Sequence, residues 1–475
     1  MASNRGPVTF SRNESGEREH SRGAGGLVTA LNAVVRRDEN AVWIASAESD
    51  EDVEVSREPA PLEVEDLRIR FVEHDPESYN LMYNELANPL LWFVQHGLYD
   101  LPYAPNTGDD TKRAWEEGYV PVNRRFADAV VETAEGDDSP TILLHDYQLY
   151  MTPLFVRERL GDSAFISLFV HIPWPEPDLW RVLPDYIREG VLESLLCADI
   201  VAFHTRRYAR AFIQTAADTL GARADIEGGV VRHGGREVWV RAYPISIDPD
   251  EFRDLAQTDD VLEQEEFVRG LTGKLLLRVD RTDLSKNIVR GFLAYGRMLE
   301  RHPEMKGEVT FLAQLQPSRT DVPEYAAYME AVGRTAEEIN QKHGTPSWRP
   351  IELFMEDHFP RSVAAYKNFD VLLVNAVRDG MNLVAKESAV INEKGGVLVL
   401  SENAGAHEEL GEHALSVNPY DVDGQAEALY VALNMPEDER ERRSKAVREE
   451  VESNTIEDWV EAQIRDIEAY REQHG

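Results

Sequence analysis

Residues 371–387 read VLLVNAVRDGMNLVAKE, and this stretch indicates the fold class most directly. Its first half is an apolar run of strand length, typical of a strand buried on both faces of a parallel sheet. Asp379 and Gly380 then form a turn, and helical spacing begins near Asn382. The start of that helix offers N–H donors to a diphosphate, and Glu387 offers a carboxylate to a ribose. The alternative is an ordinary strand–turn–helix joint in which Asp379 caps the helix.

Apolar strands and amphipathic helices alternate in the same way along most of the chain. We predict strands at residues 41–46, 141–144, 164–171, 200–204, 238–245, 274–279, 309–315, 371–375, 396–401 and 414–418, and helices at 27–36, 114–133, 189–198, 206–220 and 287–301. This order predicts an α/β protein with doubly wound, Rossmann-like parallel sheets.

An acidic segment near residues 246–270 interrupts the alternation, so we predict two domains, 1–245 and 246–475, facing a cleft. Ligands of such sheets bind beyond the carboxyl ends of the strands. The charged stretch 436–472 is predicted to form one or two solvated helices, which are also candidates to return to the first domain. Only three residues precede the turn at 4–7, so either the first strand is unusually short or residues upstream of Met1 are missing.

Composition restricts the class of partner. The chain has 475 residues and a net charge of −37, from 87 acidic and 50 basic residues, which disfavours nucleic acid and anionic membranes as partners. Its single cysteine, Cys197, excludes an internal disulfide and a cysteine-based metal site. No apolar run reaches the length of about eighteen residues that spans a membrane, and the first residues do not resemble a signal peptide. We therefore expect a cytoplasmic protein.

Glycines near the start of the chain precede a predicted helix. The segment SRGAGGLVTA, residues 21–30, places Gly25 and Gly26 where their N–H groups can face an anion at a helix amino terminus. Arg5 and Arg22 favour a phosphate there. A plain turn is the alternative.

Two further segments end apolar strands with polar residues. In the segment HDYQ, residues 145–148, Asp146 can accept hydrogen bonds from sugar hydroxyls or, equally, cap a helix. In the segment FVHIPWP, residues 169–175, two prolines keep the backbone after His171 in an extended conformation. A satisfied structural histidine is the alternative to a functional one.

A basic pair follows the predicted strand at 274–279. Arg281 and Lys286 lie five residues apart on a strand-to-helix loop, where they can clamp a diphosphate and neutralise a leaving nucleotide. The alternative is a surface basic pair, although such a pair is less expected at a strand end in so acidic a chain.

Together these segments resemble the trehalose-6-phosphate synthase family of retaining, GT-B-fold glycosyltransferases. The motifs that carry the resemblance are SNRGP at 3–7, GAGGL at 23–27, Tyr83 with Trp92, HDYQL at 145–149, HIPWP at 171–175, RVDRTDLSKN at 278–287, PSR at 317–319 and RDGMNLVAKE at 378–387. Their order covers nearly the whole chain, so coincidence is excluded.

The resemblance implies roles for individual residues. The acceptor phosphate and sugar would be bound by Arg5, Tyr83, Trp92, Asp146 and Arg319. The donor would be bound by Gly25, Gly26, Arg281, Lys286, Phe359, Asp379, Gly380, Met381, Asn382, Leu383, Val384, Ala385, Lys386 and Glu387, with Phe359 at the nucleotide base. The residues nearest the reaction would be His171, Arg281, Lys286 and Asp379, with His171 beside the anomeric carbon.

The implied reaction transfers glucose from a nucleotide-glucose to glucose 6-phosphate and gives trehalose 6-phosphate. UDP-glucose is the expected donor, while GDP-glucose and ADP-glucose stay open because Phe359 does not discriminate bases. The acceptor hydroxyl would attack on the face from which the diphosphate leaves, so configuration is retained. No metal and no cofactor are expected, because the cations stabilise the leaving group. The sequence leaves a homo-oligomer open.

This sequence also departs from the family pattern. The loop at 281–287 reads RTDLSKN where many relatives have Tyr before the Ser and Gly after the Lys, and Trp174 replaces a common Phe. A different acceptor therefore stays open, as in relatives that make glucosylglycerol phosphate or join cyclitols. A non-catalytic sugar-phosphate sensor is the alternative of another class. No DxDxT-like string is present, so a phosphatase domain is not expected.

Overall fold

The structure, a computed structural model, describes residues 1–13, 15–22, 26–35 and 37–474. The chain divides into two compact units. The first comprises Met1–Pro244 and the chain from Glu457 onwards, and the second comprises Ile245–Ile456. The last helix therefore belongs to the first unit from Glu457 on.

The first unit is built on a mixed sheet of ten strands among the described residues. In spatial order these are Arg223–Asp225, Val230–His233, Arg236–Ala242, Ile200–Phe203, Phe165–Phe169, Thr141–His145, Ala2–Ser3, Val42–Ser46, Leu67–Val72 and Leu62–Val64. Its seven central strands, from Arg236–Ala242 to Leu67–Val72, are parallel, and the outer ones pair antiparallel. The first strand is thus present at the centre of the sheet, only two residues long. A separate hairpin pairs Val8–Arg12 with Arg18–Arg22.

Helices connect these strands. The α-helices are Gly26–Val35, Asp50–Ser56, Pro76–Asn80, Phe93–His96, Asp109–Arg113, Val120–Thr133, Thr152–Leu160, Pro177–Trp180, Asp185–Leu195, Arg206–Leu220 and Ile456–His474; Leu81–Trp92 and Ala114–Tyr119 are π-helices, and Tyr147–Leu149 and Gly161–Ser163 are single 3₁₀ turns. The predicted helix 206–220 begins where the Thr205 hydroxyl accepts from the Tyr208 N–H and ends at Gly221 in the left-handed region.

The second unit has a six-stranded sheet, counted over the described residues, in which every pairing is parallel. The spatial order is Ile351–Met355, Val309–Gln316, Lys274–Arg281, Val371–Val374, Val397–Ser401 and Leu415–Val417. Its helices are Pro249–Leu255, Asp259–Arg269, Ile288–Arg301, Pro323–His343, Phe359–Asn368, Val384–Ile391, His407–Leu410, Val422–Leu433 and Glu437–Ser453, with 3₁₀ turns at Leu284–Lys286 and Pro303–Met305.

The parallel strands of both sheets have the doubly wound order, in which the chain starts near the centre, moves to one edge and returns to build the other half. The reversal lies between Ala2–Ser3 and Thr141–His145 in the first unit, and between Lys274–Arg281 and Val371–Val374 in the second. The crevice at such a reversal is where these sheets bind ligands. The predicted doubly wound α/β architecture is confirmed in each unit.

Candidate active site

The reversal of strand order in the second unit brings three of the predicted residues together. Arg281 is the last residue of its strand, and Lys286 lies in the following turn. Asp379 follows the neighbouring parallel strand Val371–Val374. Lys286 Nζ lies 2.5 Å from Asp379 Oδ2, and these two side chains are only 13% and 15% exposed. A cation and a carboxylate are therefore paired beyond the carboxyl ends of the two strands.

The charge of Lys286 is stabilised by its surroundings. Burial lowers the pKa of this ammonium group, but the carboxylates of Asp379 and Asp280 outweigh burial, so the pKa lies above its ordinary value. Burial raises the pKa of Asp280, and the positive charges of Arg278 and Lys286 oppose that rise. Lys286 is thus a retained positive charge.

A fully buried arginine supports the turn that carries Lys286. Arg278 donates to the backbone carbonyl of Lys286 at 2.9 Å and, through Nε, to Asp280 at 2.9 Å. It also donates to the side chain of Asn375, just after the neighbouring strand. The guanidinium therefore joins the turn at Lys286 to the loop that leads to Asp379.

The turn after Asn375 differs from its prediction. The helix begins at Val384 rather than near Asn382, and Leu383, not Asp379, holds the capping position. Asp379 instead accepts from the side chains of Lys286 and Asn382. Asn382 has φ +79°, in the left-handed region that is uncommon for a residue with a side chain.

A neighbouring loop holds this turn through backbone contacts. The Asp379 N–H donates to Asn403, the Gly405 N–H donates to Asp379, and the Ala406 N–H donates to Met381. A Cβ atom on Gly405 would lie 1.9 Å from the Gly380 carbonyl oxygen, so only glycine permits this approach.

Several side chains in the rest of the segment 378–387 are buried in the protein. Met381 and Ala385 are buried. Lys386, predicted at the donor, is 1% exposed and pairs with Glu409 at 2.7 Å. Its Nζ also donates to the Ile245 carbonyl, so this side chain is committed to protein partners. The Lys386 N–H also donates to the Leu383 carbonyl, at 2.8 Å, so neither this side chain nor this N–H is left for a ligand.

Glu387 is a half-buried carboxyl beside Tyr366, whose hydroxyl donates to it at 3.3 Å. Burial raises the pKa of Glu387 to about 7, against the opposing effects of Tyr366 and Lys286. Phe359, predicted at the base, is the first residue of helix Phe359–Asn368 and is 47% exposed. The charge of Glu387 therefore changes near neutral pH.

Arg319, predicted at the acceptor phosphate, also lies in the second unit. Its NH1 donates to Asp283 Oδ2 at 3.0 Å and to the hydroxyl of Tyr325. Its side chain is 7% exposed. Neither Asp283 nor Tyr325 was singled out from the sequence, because nothing local indicates that residues 36 and 42 positions apart share one cluster.

In the first unit, Arg5 and Asp146 follow the two strands at the reversal. Asp146 has φ +76° and its Oδ1 accepts from the His171 N–H at 3.1 Å. Asp146 precedes a 3₁₀ turn but makes no capping hydrogen bond, so the capping alternative is wrong. Arg5 is 61% exposed and lies 3.6 Å from Glu48.

Three strand-end histidines form a row. His145 Nδ1 lies 3.0 Å from His171 Nε2, and His171 Nδ1 lies 3.3 Å from His204 Nε2. Burial and the two neighbouring imidazoles hold the pKa of His171 well below its ordinary value, and burial lowers that of His145 to about 3. Both ring nitrogens of His171 are therefore engaged by protein. The positions of His145 and His204 at strand ends were the signal that the sequence offered for this row.

The two predicted aromatic residues lie on one π-helix, Leu81–Trp92, which presses against the second π-helix at Gly118. A Cβ atom on Gly118 would lie 2.6 Å from that of Leu81. Tyr83 stacks on Tyr79 with ring centroids 5.8 Å apart. Trp92 is buried and stacks on His96.

Gly25 lies outside the described residues. Gly26 is the first residue of helix Gly26–Val35. Across the described ranges, no group of three or more His, Cys, Asp or Glu side chains is arranged to hold a metal ion. A search of the same part of the chain finds no helix long and apolar enough to cross a membrane.

A family model and several known proteins match nearly the whole chain. A family model described as glycosyltransferase family 20 matches residues 1–469. The bifunctional trehalose-6-phosphate synthase/phosphatase of Thermoproteus tenax is 36% identical over 97% of this chain, which spans 62% of that relative's length. The alpha,alpha-trehalose-phosphate synthase (UDP-forming) of Pichia angusta is 33% identical over 98% of both chains.

Solved structures are similar over the same extent. One, described as trehalose-6-phosphate from E. coli bound with UDP-2-fluoro glucose, has a TM-score of 0.84, 28% identity and 98% coverage of both chains. A UDP-forming synthase from Burkholderia xenovorans in complex with glucose-6-phosphate has a TM-score of 0.81 and 29% identity, over 94% of this chain and 97% of the other.

Proposed function

Because the chain belongs to glycosyltransferase family 20, we propose that it transfers glucose from a nucleotide-glucose to glucose 6-phosphate. The products are trehalose 6-phosphate and a nucleoside diphosphate, and UDP-glucose is the donor of first choice. The family and the fold class predicted from the motifs are confirmed, as is the enzyme class, a glycosyltransferase.

One observation carries the proposal. The Lys286–Asp379 ion pair, at 2.5 Å, lies where the strand order of the second sheet reverses. A cation there suits a departing diphosphate, and a carboxylate suits the hydroxyls of the transferred sugar. Arg281, at the end of the preceding strand, supplies a second positive charge to the same loop. The name of the Pichia angusta relative, which is UDP-forming, supports UDP-glucose.

The acceptor is assigned from charge. A chain with a net charge of −37 repels anions at long range, so a phosphorylated acceptor requires local arginines. Arg5 and Arg319 are our candidates, since a guanidinium binds phosphate with two parallel hydrogen bonds. The glucose-6-phosphate complex of the Burkholderia xenovorans synthase supports that acceptor.

We assign the remaining positions accordingly. The acceptor sugar contacts Tyr83, Trp92 and Asp146 in the first unit. The donor contacts Gly25, Gly26, Phe359, Glu387 and the backbone from Gly380 to Val384, so the first domain binds mainly acceptor and the second mainly donor.

Transfer with retention follows if the acceptor hydroxyl attacks on the face that the diphosphate leaves. Arg281 and Lys286 stabilise the leaving charge, and no close carboxylate pair of the glycosidase kind is invoked. His171 has both ring nitrogens engaged by His145 and His204, so we assign it a positional role beside the anomeric carbon rather than that of a general base. We propose that the reaction proceeds without a metal ion.

The test is product analysis. The protein is supplied with UDP-, GDP- or ADP-glucose and glucose 6-phosphate, with and without EDTA. A non-reducing disaccharide phosphate with α linkage at both anomeric carbons, formed with EDTA present, supports the proposed donor class, acceptor, retention and metal independence. Product with glycerol 3-phosphate alone would contradict the acceptor, and binding of both ligands without turnover would favour the sensor.

A further inference from the structure

The carboxylate of Asp283 lies between two loops of the second unit. Its Oδ1 accepts from the backbone N–H and the hydroxyl of Ser285, at 2.9 and 2.7 Å. Its Oδ2 accepts from Arg319 NH1 at 3.0 Å and from the Tyr325 hydroxyl at 2.9 Å. One oxygen therefore holds the turn that carries Lys286, and the other holds the arginine that follows the neighbouring strand.

The cluster formed by Asp283, Ser285, Arg319 and Tyr325 is buried. The side chain of Asp283 is 0% exposed and that of Arg319 is 7% exposed. A buried carboxylate is tolerated only when it is paired and fully hydrogen-bonded, and the four contacts meet that condition. Tyr325 is also buried, and its ring lies under the Arg319 guanidinium at 5.3 Å.

The backbone around the cluster is equally constrained. The Lys286 N–H donates to the Asp283 carbonyl at 3.0 Å, so the same residue shapes the turn through both its main chain and its side chain. Arg319 has φ +50°, an uncommon conformation for a residue with a side chain. Such a conformation persists when the surrounding contacts determine it.

We propose that Asp283, together with Tyr325, is a positioning residue that sets Arg319 for the acceptor phosphate and the Lys286 turn for the donor diphosphate. The inference rests on the proposed function, because it gives both cations a phosphate ligand. Its consequence is that the two binding steps depend on one carboxylate. Donor affinity and acceptor affinity are therefore separable by changing the partners of its two oxygens.

Tyr325→Phe tests the acceptor side. It removes one hydroxyl from the Asp283–Arg319 pair and leaves the ring in place. We expect the KM for glucose 6-phosphate to rise roughly fivefold, the scale of one ordinary intramolecular hydrogen bond, with the KM for donor unchanged.

Tyr295→Phe is the matched control. Tyr295 is also fully buried in this unit, and its hydroxyl donates to the backbone carbonyls of Val309 and Pro350, at 2.9 and 3.2 Å. This variant should lose stability with both KM values unchanged. A Tyr325→Phe variant that lost stability in the same way, with an unchanged acceptor KM, would reduce the cluster to a structural role.

Ser285→Ala tests the donor side, because its hydroxyl contacts Oδ1. Its expected effect is a raised donor KM at an unchanged acceptor KM, and Asp283→Asn should raise both. Equal effects of Ser285→Ala and Tyr325→Phe on both substrates would overturn the division between the two oxygens. Absence of product with the unaltered protein would refute the proposed function and this inference together, whereas an active protein insensitive to both changes refutes the inference alone.

Discussion

Lys286 is the residue on which the proposed chemistry most depends. Its ammonium group is held by Asp379 at 2.5 Å and keeps a raised pKa, so it stays charged through the neutral range. In Lys286→Ala the leaving diphosphate loses one stabilising cation. We expect turnover to fall by roughly 10²–10³, the scale of removing one preorganised electrostatic group.

Steady-state kinetics with circular dichroism checks this expectation. Lys445→Ala is the control, because Lys445 is 75% exposed and pairs only loosely with Glu449, at 3.5 Å. The control should keep full turnover. Near-normal turnover of a folded Lys286→Ala protein would remove Lys286 from the reaction.

Glu387 should make donor binding depend on pH. Its pKa is raised to about 7 by burial, so the carboxyl is largely neutral below that pH and ionised above it. An ionised carboxylate accepts a ribose hydroxyl more strongly than a neutral one. The KM for donor should therefore fall several-fold as pH rises from about 6 to about 8.

Glu387→Gln carries no titrating group and should flatten this profile at a higher KM. The KM for acceptor serves as the internal reference, because Glu387 is assigned only to donor. A profile of the same slope in Glu387→Gln would assign the pH dependence to another group.

At the scale of elements, the turn from Asp379 to Asn382 depends on the loop that carries Gly405. In Gly405→Ala the new Cβ atom would meet the Gly380 carbonyl oxygen at 1.9 Å, so the two backbones must separate. Because that movement displaces Asp379 from Lys286, we expect loss of most activity together with about 1–3 kcal/mol of stability.

Gly333→Ala is the matched control in the same unit. Gly333 lies within helix Pro323–His343, and its added Cβ atom would meet only Met355 Cε, at 3.8 Å. It should raise the unfolding free energy by about 0.5–1 kcal/mol and leave activity unchanged. Urea unfolding and turnover measure both variants, and full activity of Gly405→Ala would show that the turn tolerates separation.

Local pattern predicted the long elements and missed those formed by distant pairing. Each strand predicted at 274–279, 309–315 and 371–375 occurs with small shifts at its ends, because an apolar run in a buried parallel strand is a strong signal. Ala2–Ser3 is too short to give any pattern, and the strand Ile351–Met355 was not predicted. Similarly, helical periodicity does not distinguish π-helix Leu81–Trp92 from an α-helix.

The candidate site was predictable to the extent that residues at strand ends were. Arg281, Lys286 and Asp379 followed from that rule, and the structure brings the latter two into contact. The burial of the Lys386 side chain and the pairing of Asp283 with Arg319 depend on which loops meet in space. A motif states residue types along the chain, so it leaves these partners undetermined.

At the scale of the whole molecule, charge is the dominant feature. The net charge is −37, so the native state carries a large self-repulsion between carboxylates. Individual exposed ion pairs, such as Arg113–Glu117 at 3.0 Å, offset little of it. Salt shortens the range of this repulsion from about 30 Å at 0.01 M to about 3 Å at 1 M.

Stability should therefore rise with salt at neutral pH. We expect the midpoint of urea unfolding to increase between about 0.01 M and about 1 M NaCl, because screening relieves the compact state more than the expanded one. Urea is chosen because it is uncharged. The control is the same pair of titrations near pH 5, close to the isoelectric point of about 4.7, where little net charge remains to be screened. An equal increase at both pH values would show a salt effect unrelated to charge, and a decrease at neutral pH would show that attractive ion pairs outweigh the repulsion.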